Sequence, residues 1–186
     1  MQREIGKKGR PQMKSSVLRE MKKEEFNDFF KILESSFPAK EYRSYERQKE
    51  LLDHPHYDIE VYEEEERIKG YISSWKFKDF NFVEHLVVCP DTRGEGIGTK
   101  ILTSARSKWI KRIYLEVEPP EDKISRRRIA FYERNGFELN EYPYAQPPLM
   151  PGNAEIPLMI MTSQGKITEE DFHEFKRKMK GVVYIY

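Results

Sequence analysis

Residues 87–98 have the sequence Val87-Val88-Cys89-Pro90-Asp91-Thr92-Arg93-Gly94-Glu95-Gly96-Ile97-Gly98. The end of an apolar strand leads here into an arginine, then into three glycines at alternate positions, then into a predicted helix. Glycine lets the backbone turn tightly and approach a ligand closely. The first turn of the helix adds N–H groups without intrahelical acceptors and the positive end of the helix dipole. The stretch therefore predicts a site for an anion such as a pyrophosphate, to which Arg93 can add a charge-assisted hydrogen bond.

The spacing of these glycines disfavours two common nucleotide-binding motifs. A dinucleotide-binding turn uses G-x-G-x-x-G directly after a strand, whereas the glycines here stand at positions 94, 96 and 98. A P-loop requires Gly-Lys followed by Ser or Thr, and Gly98 is followed by Thr99-Lys100 in the reverse order. Binding of ADP or NAD by this loop remains an alternative hypothesis, against which the spacing argues.

A second motif lies further along the chain, where residues 130–137 have the sequence Ala130-Phe131-Tyr132-Glu133-Arg134-Asn135-Gly136-Phe137. Together with the R-x-x-G-x-G pattern of residues 93–98, this F-Y-x-x-x-G-F pattern resembles the two signatures of the GNAT acyltransferases, in the order and at the distance typical of that family. The resemblance covers residues 15–163. It implies an α/β (α+β) fold, with a mixed central sheet of about seven strands flanked by four helices and splayed at its middle to admit coenzyme A.

Hydrophobic periodicity predicts the same order of elements. Strands are predicted over residues 17–21, 57–61, 68–77, 82–88, 113–117, from Phe137 onwards, and over 156–161. Helices are predicted over residues 26–37, 44–52, 97–109, 125–134 and 168–180. The proline-rich segment 142–151 is predicted to be a loop and residues 63–66 a hairpin tip. We divide the chain into a flexible lead (1–12), a GNAT acetyltransferase domain (13–163) and a C-terminal helical extension (164–186), whose helix packs on the domain or on a second subunit.

Composition narrows the functional classes. The 33 Lys and Arg residues nearly balance the 32 Asp and Glu residues, so the 186-residue chain has no net positive field to attract nucleic acid. The single Cys89 cannot form an internal disulfide, which fits a reducing, cytoplasmic setting. No stretch approaches the ~20 apolar residues of a membrane span, and no signal peptide is predicted. We expect no membrane partner, no nucleic-acid partner and no metal ion, in a monomer or a homodimer.

The resemblance implies which residues bind acetyl-CoA, the cosubstrate. The backbone amides of Arg93, Gly94, Glu95, Gly96, Ile97, Gly98 and Thr99 are expected to bind the pyrophosphate. The strand edge Leu86-Val87-Val88 is expected to pair with the pantetheine arm as an added strand would, with an amide near Leu86 for the thioester oxygen. Ser125 stands where the family often has an asparagine, and it is expected to cap its helix and contact the cofactor. Arg126 to Arg128 form a solvated helix face or bind the 3′-phosphate of coenzyme A.

Tyr132 is the predicted general acid, since the matching family tyrosine lies near the sulfur and a phenol is protonated at neutral pH. Glu84 and Glu116 are the candidates for the general base. Strand alternation predicts that Glu84 shares a face with Leu86 and Val88, and that His85 points to the opposite face in a structural role. Glu118 shares a face with Glu116, and both favour a cationic amine.

The leading hypothesis is an N-acetyltransferase that moves an acetyl group from acetyl-CoA to a primary amine by direct transfer in a ternary complex. The alternative is a non-catalytic acyl-CoA-binding or sensing module. Covalent transfer through Cys89 is disfavoured, because Cys89 adjoins Pro90 on the strand face predicted to lie opposite Glu84. The acceptor stays open among a polyamine, an aminoglycoside, an amino acid and a protein lysine. The connector between the first two helices and a wall containing Tyr144 are expected to line its cleft.

Overall fold

The computed structural model describes residues 16–149, 152 and 154–185, so the predicted lead 1–12 lies outside the described residues. In this part of the chain seven strands form one sheet, in the order β1-β2-β3-β4-β5-β7-β6. The strands are β1 (Ser16–Glu20), β2 (Tyr57–Glu64), β3 (Arg67–Lys76), β4 (Phe80–Val88), β5 (Arg112–Val117), β6 (Phe137–Gln146) and β7 (Ile156–Ser163). Only β4 and β5 pair in parallel among these strands. The predicted mixed sheet is confirmed.

Helices cover both faces of the sheet. They are α1 (Phe26–Ser36), α2 (Tyr45–Glu50), α3 (Ile97–Lys108), α4 (Lys123–Arg134) and α5 (Glu169–Gly181). Helix α1 forms where predicted, because Phe26, Phe29, Phe30 and Leu33 repeat at helical spacing and bury one stripe. Helices α1, α2 and α5 pack on one face of the sheet, and α3 and α4 pack on the other.

The sheet opens between its two parallel strands. Strands β4 and β5 pair only from Phe80 opposite Arg112 to Val83 opposite Leu115. Strand β4 continues to Val88 and β5 to Val117 without pairing to each other. The two strands therefore diverge toward their carboxyl ends, and the predicted splay is confirmed.

A β-bulge on β4 overturns the predicted orientation of two side chains. Ser73 of β3 faces His85 and Ser74 faces Val83, so Glu84 has no partner in this register. A bulge breaks the strict alternation of side chains. The His85 Nδ1 atom consequently lies 3.8 Å from Glu84 Oε2, and the expectation that these side chains point to opposite faces is wrong.

The same bulge separates Glu84 from its expected neighbours on the strand. Leu86 and Val88 pack with the core on the α3–α4 side, whereas Glu84 pairs with Arg43 from the α1–α2 connector. The expectation that Glu84 shares a face with Leu86 and Val88 is therefore also wrong, because the extra residue inverts the alternation before Leu86.

The segment predicted as a loop over 142–151 is partly strand, since β6 continues to Gln146. Its Pro143 falls where the register with β7 shifts between Asn140 and Tyr144. Strand β6 is the last strand of the sheet, and an edge position or a bulge tolerates a proline that cannot donate a ladder hydrogen bond. The prediction from proline content therefore placed the end of this strand too early. The predicted hairpin tip is also shorter, because β2 runs to Glu64.

The C-terminal helix packs on the chain's own core. The predicted start of α5 is confirmed: Thr168 caps the helix by accepting a hydrogen bond from the Asp171 amide, and the Asp171 side chain completes a capping box. Phe172, Phe175 and Met179 are buried against the α1–α2 side of the sheet. No helix within residues 16–149, 152 and 154–185 has both the length and the apolarity that crossing a bilayer requires.

Candidate active site

A cavity of about 360 Å³ lies where β4 and β5 diverge. Phe37 and Glu41 line it from the α1–α2 side of the sheet, and Arg128 and Tyr132 line it from α4 on the opposite side. The cavity therefore passes through the sheet at the splay. Such a passage lets two ligands meet from opposite faces.

One wall of the cavity is the free edge of β4. Leu86, Val87 and Val88 line the cavity, and β4 has no pairing with β5 beyond Val83. Backbone N–H and C=O groups on this edge can pair with an extended ligand that carries amides, as an added strand would. The edge predicted to hold a pantetheine arm is therefore brought to the cavity.

The glycine loop meets the conformational demand of an anion site. Gly94 has a φ of +89° and Gly96 a φ of +73°, both in the left-handed region that favours glycine. Gly96 is the N-cap of α3, so the amides of the first helical turn have no intrahelical acceptors. Arg93 lines the cavity and places a positive charge next to the glycine loop. These residues fit a pyrophosphate.

The remaining loop residues differ in burial. Ile97 and Gly98 are buried, while Glu95 and Thr99 are exposed. An added Cβ at Gly98 would lie 3.0 Å from the ring of Phe131, so the glycine permits close approach of α3 to α4. None of these four residues lines the cavity itself. Their predicted contacts with the cofactor can come only from the rim of the site.

Ser125 does not cap α4 as predicted. Asp122 is the N-cap, and its carboxylate accepts hydrogen bonds from the amides of Ile124 and Ser125 at 2.6 and 2.8 Å. The buried Ser125 hydroxyl bonds back to the Asp122 backbone as the third-position partner of a capping box. Asp122 occupies the N-cap position because its carboxylate can accept hydrogen bonds from two backbone amides. A cofactor contact by Ser125 stays a prediction.

Tyr132 reaches the cavity from α4. Its ring packs against Phe131 and Phe137 with centroid distances of 5.2 and 5.7 Å. Burial raises the pKa of Tyr132 to about 12, with the Glu118 charge acting in the same direction and Arg128 opposing it. The phenol therefore stays protonated at neutral pH, as a general acid must.

Glu84 is the buried anion of the site. Its side chain is 6% exposed, and its Oε1 accepts a hydrogen bond at 2.7 Å from Nη1 of the fully buried Arg43. Its Oε2 is buried without a hydrogen-bond partner among the described residues. One oxygen is thus held by a cation, and the other is left without a hydrogen bond. Arg43 was not predicted from the sequence, because it lies 41 positions from Glu84 and in no motif.

Glu116 is held between two phenols. The Tyr144 hydroxyl donates to Oε1, and the Tyr184 hydroxyl donates to Oε2 at 2.6 Å. Burial raises the pKa of Glu116 to about 7, against the two phenol hydrogen bonds and together with the charge of Glu84. A carboxyl that exchanges its proton near neutral pH is suited to general base catalysis. Tyr184 lies 68 positions away, and no motif marked it.

The cavity is predominantly acidic. Glu118 also lines it and pairs with Arg128, and burial together with the Glu118 charge raises the pKa of Glu41. Four carboxylates therefore line the cavity, opposite two cations. The carboxylates are Glu41, Glu84, Glu116 and Glu118, and the cations are Arg93 and Arg128. Arg43 pairs with Glu84 and Arg128 with Glu118, so Glu41 and Glu116 are the lining carboxylates without an ion-pair partner among the described residues. These two carboxylates favour a ligand that carries positive charge.

Two further residues considered from the sequence, His85 and Cys89, lie in surroundings that suit a structural role. The buried His85 has Nε2 at 3.0 Å from the Glu41 carbonyl and Nδ1 at 3.3 Å from Ser73 Oγ, and burial lowers its pKa. Cys89 does not line the cavity, and burial raises the pKa of its thiol. A thiol kept protonated and away from the cavity is a poor acyl carrier. The bulge at Glu84 invalidates the predicted placement of Cys89 on the strand face opposite Glu84, so burial and distance from the cavity are what disfavour Cys89.

Comparisons with known proteins show which family and fold this chain is similar to. A family model described as an acetyltransferase (GNAT) domain matches residues 55–139. YjbC of Bacillus subtilis (strain 168), described as a candidate acetyltransferase, is 31% identical over 113 residues, which are 60% of this chain. The match spans only 57% of YjbC, a little over half of that relative.

Solved structures extend the likeness over nearly the whole chain. A candidate acetyltransferase of the GNAT family from Bacteroides thetaiotaomicron is 30% identical with a TM-score of 0.86, over 90% of this chain and 98% of that one. A variant of the spermidine N-acetyltransferase SpeG from Vibrio cholerae is 14% identical, with a TM-score of 0.59 over 79% of this chain and 92% of that one. A ribosomal-protein-alanine N-acetyltransferase from Brucella melitensis is 19% identical, with a TM-score of 0.58 over 82% and 99%. The last two share the fold alone.

Proposed function

Since this chain belongs to the GNAT acetyltransferase family, we propose that it transfers an acetyl group from acetyl-CoA to a primary amine by direct transfer in a ternary complex. The observation that carries this proposal is the cavity through the splayed sheet. It brings a protonated phenol, two carboxylates and a free strand edge to one space. We assign the reaction to residues 13–163, with residues 164–186 as an extension that contributes Tyr184.

Acetyl-CoA supplies an activated thioester when it is bound. We assign its pyrophosphate to the amides of residues 93–99 and its pantetheine arm to the β4 edge at Leu86, Val87 and Val88. An amide near Leu86 then donates to the thioester oxygen as negative charge develops there. Ser125 is a weaker candidate for a contact, because its hydroxyl is already bonded to Asp122.

The two carboxylates differ in their suitability as the base. Glu84 is engaged through its Oε1 atom by the buried Arg43, which suits it to a fixed position in the site. Glu116 has a pKa raised to about 7, so it is partly ionised at neutral pH and accepts a proton readily. We therefore propose that the acceptor's ammonium binds beside Glu84, whose Oε2 has no hydrogen-bond partner among the described residues, and loses one proton to Glu116. The resulting amine attacks the thioester carbonyl, and Tyr132 protonates the departing thiolate. The Tyr132 phenolate then recovers a proton from the acetylated nitrogen, which becomes the neutral amide.

The acidic lining supports a cationic acceptor. An ammonium entering the cavity meets Glu84 and Glu116 and forms charge-assisted hydrogen bonds there. Spermidine and a protein alanine are the acceptors named for SpeG and for the Brucella protein. A polyamine carries a further cation that Glu41, which lines the cavity, can bind.

The experiment is a product screen by mass spectrometry. The protein is incubated with acetyl-CoA and, in separate reactions, with spermidine, an alanine-terminated peptide, a lysine peptide, an aminoglycoside or a free amino acid. We expect acetylation of the cationic amines, in the order of their charge, and loss of product in Tyr132→Phe. Tight binding of acetyl-CoA without any acetylated amine would instead favour the non-catalytic acyl-CoA-binding module.

A further inference from the structure

Two successive residues near the C-terminus contact the charged groups of the cavity. The Val183 carbonyl accepts a hydrogen bond at 2.7 Å from Nη2 of Arg43, the cation that pairs with Glu84. The Tyr184 hydroxyl donates to Glu116 Oε2 at 2.6 Å. We propose that Tyr184 is a positioning residue of the active site, which holds the Glu116 carboxylate from one side while Tyr144 holds it from the other. This inference rests on the proposed function, in which Glu116 accepts the proton.

The placement of Tyr184 is enforced by the packing of α5. Phe175 stacks on Tyr114 with a centroid distance of 5.1 Å and an interplanar angle of 10°. Tyr114 precedes Glu116 by two positions on β5. The helix is therefore fixed to the strand that carries the carboxylate.

A second stack fixes α5 to the strand that carries the other phenol. Phe172 stacks on Tyr142 with a centroid distance of 4.6 Å and an interplanar angle of 13°, and Tyr142 precedes Tyr144 by two positions on β6. Val183, the neighbour of Tyr184, is completely buried. Helix α5 and both strands thus form one packed unit around Glu116, which holds the two phenols beside its carboxylate.

The two phenols engage different oxygens of Glu116, which fixes the plane of the carboxylate. Their O–H groups donate to the charged form and stabilise it. The other titratable or charged groups around the cavity are Glu84 and His85 on β4, Arg93 in the glycine loop, Arg43 and Glu41 on the α1–α2 connector, Glu118 after β5, and Arg128 and Tyr132 on α4. Among these, the charge of Glu84 raises the pKa of Glu116.

Tyr184 lies outside residues 55–139, the part of the chain that the family model matches. Nothing in the two sequence motifs assigns it a role. Tyr184 therefore brings to the site a side chain from the C-terminal extension, for which the sequence predicted only a packed helix.

The test is Tyr184→Phe, which keeps the buried ring and removes the hydroxyl. The pKa of Glu116 is followed by ¹³C NMR of the carboxyl carbons, with Glu116→Gln to assign the signal. We expect Tyr184→Phe to raise the pKa of Glu116. The matched control is Tyr142→Phe, whose hydroxyl donates to the Ile167 carbonyl and not to the cavity, and which leaves the pKa unchanged. An unchanged pKa in Tyr184→Phe would overturn the inference.

The pH dependence of kcat/KM separates this inference from the proposed base. A rise of one pKa unit lowers kcat/KM by about tenfold on the acid side and leaves the alkaline plateau unchanged. If Tyr184→Phe shifts the NMR titration but Glu116→Gln keeps the wild-type pH profile, the positioning of Glu116 stands and its role as base fails. The NMR titration also decides the positioning in the absence of any measurable turnover.

Discussion

Replacing Arg43 with methionine removes the cation of a buried ion pair and leaves its anion in place. Arg43 is fully buried, with Nη1 at 2.7 Å from Glu84 and Nη2 at 2.7 Å from the Val183 carbonyl. Methionine retains most of the length of the side chain but offers no hydrogen-bond donor. Removing one partner of a buried pair costs about 3–5 kcal/mol, because the remaining charge is desolvated without compensation. We expect Arg43→Met to lower the free energy of unfolding by that amount.

The loss is measured by urea unfolding at neutral pH, followed by tryptophan fluorescence. The double variant Arg43→Met/Glu84→Gln removes the uncompensated charge as well, and we expect it to recover most of the loss. Arg47→Met on α2 is the matched control, because Arg47 is exposed and its replacement is expected to change stability by about 0.5 kcal/mol or less.

Two results would refute this reasoning. The first is an Arg43→Met variant as stable as Arg47→Met, which would mean that the buried pair contributes nothing. The second is a double variant no more stable than Arg43→Met, which would assign the loss to packing or to the Val183 hydrogen bond. Either result would remove the argument that Glu84 is a fixed anion of the site.

The remaining predictions concern Tyr132 and Glu116. Tyr132→Phe is expected to lower kcat by about 10²–10⁴-fold and to leave acetyl-CoA affinity unchanged, as measured by thiol release and calorimetry; an unchanged kcat would exclude the general acid. The pKa of Glu116 is raised from 4.5 to about 7 in the folded protein, so the stability that its neutral form contributes is complete below pH 4.5 and lost as pH rises through 7. Wild type should therefore lose up to about 3 kcal/mol relative to Glu116→Gln between about pH 5 and pH 8 in urea unfolding, and a constant difference would contradict the shift.

Local patterns predicted the elements that local forces decide. The phenylalanine spacing of α1 predicted its buried stripe, and Thr168 with Asp171 predicted the start of α5. The alternate glycines predicted a tight turn before α3, and the backbone at Gly94 and Gly96 is left-handed there. In each case the residues that form the pattern are the same residues that adopt the structure, or lie within a few positions of them. Such features can therefore be predicted from a single sequence.

Features that depend on distant pairing were not predictable in this way. The bulge at Glu84 follows from the register of β4 against β3, which no alternation within β4 reveals. Pro143 suggested a loop, although an edge strand tolerates it. Arg43 and Val183 are separated by 140 positions, so only the folded chain brings the C-terminal segment to the cavity.

The most direct test of the account is the binding of acetyl-CoA at the glycine loop, measured by thermal shift with acetyl-CoA, coenzyme A and ADP. A ligand at a hundred times its Kd adds about 2.7 kcal/mol of stability, which is readily observed. Gly96→Glu places a side chain and a negative charge in the loop, and Gly165→Glu is the matched control at another positive φ, +90°, outside the cavity.

We predict that acetyl-CoA and coenzyme A stabilise wild type and Gly165→Glu more than ADP does, and that they leave Gly96→Glu unshifted. Equal shifts in wild type and Gly96→Glu, or no shift in any of the three proteins, would contradict the assignment of residues 93–99 as the cofactor site and the transfer reaction proposed from it.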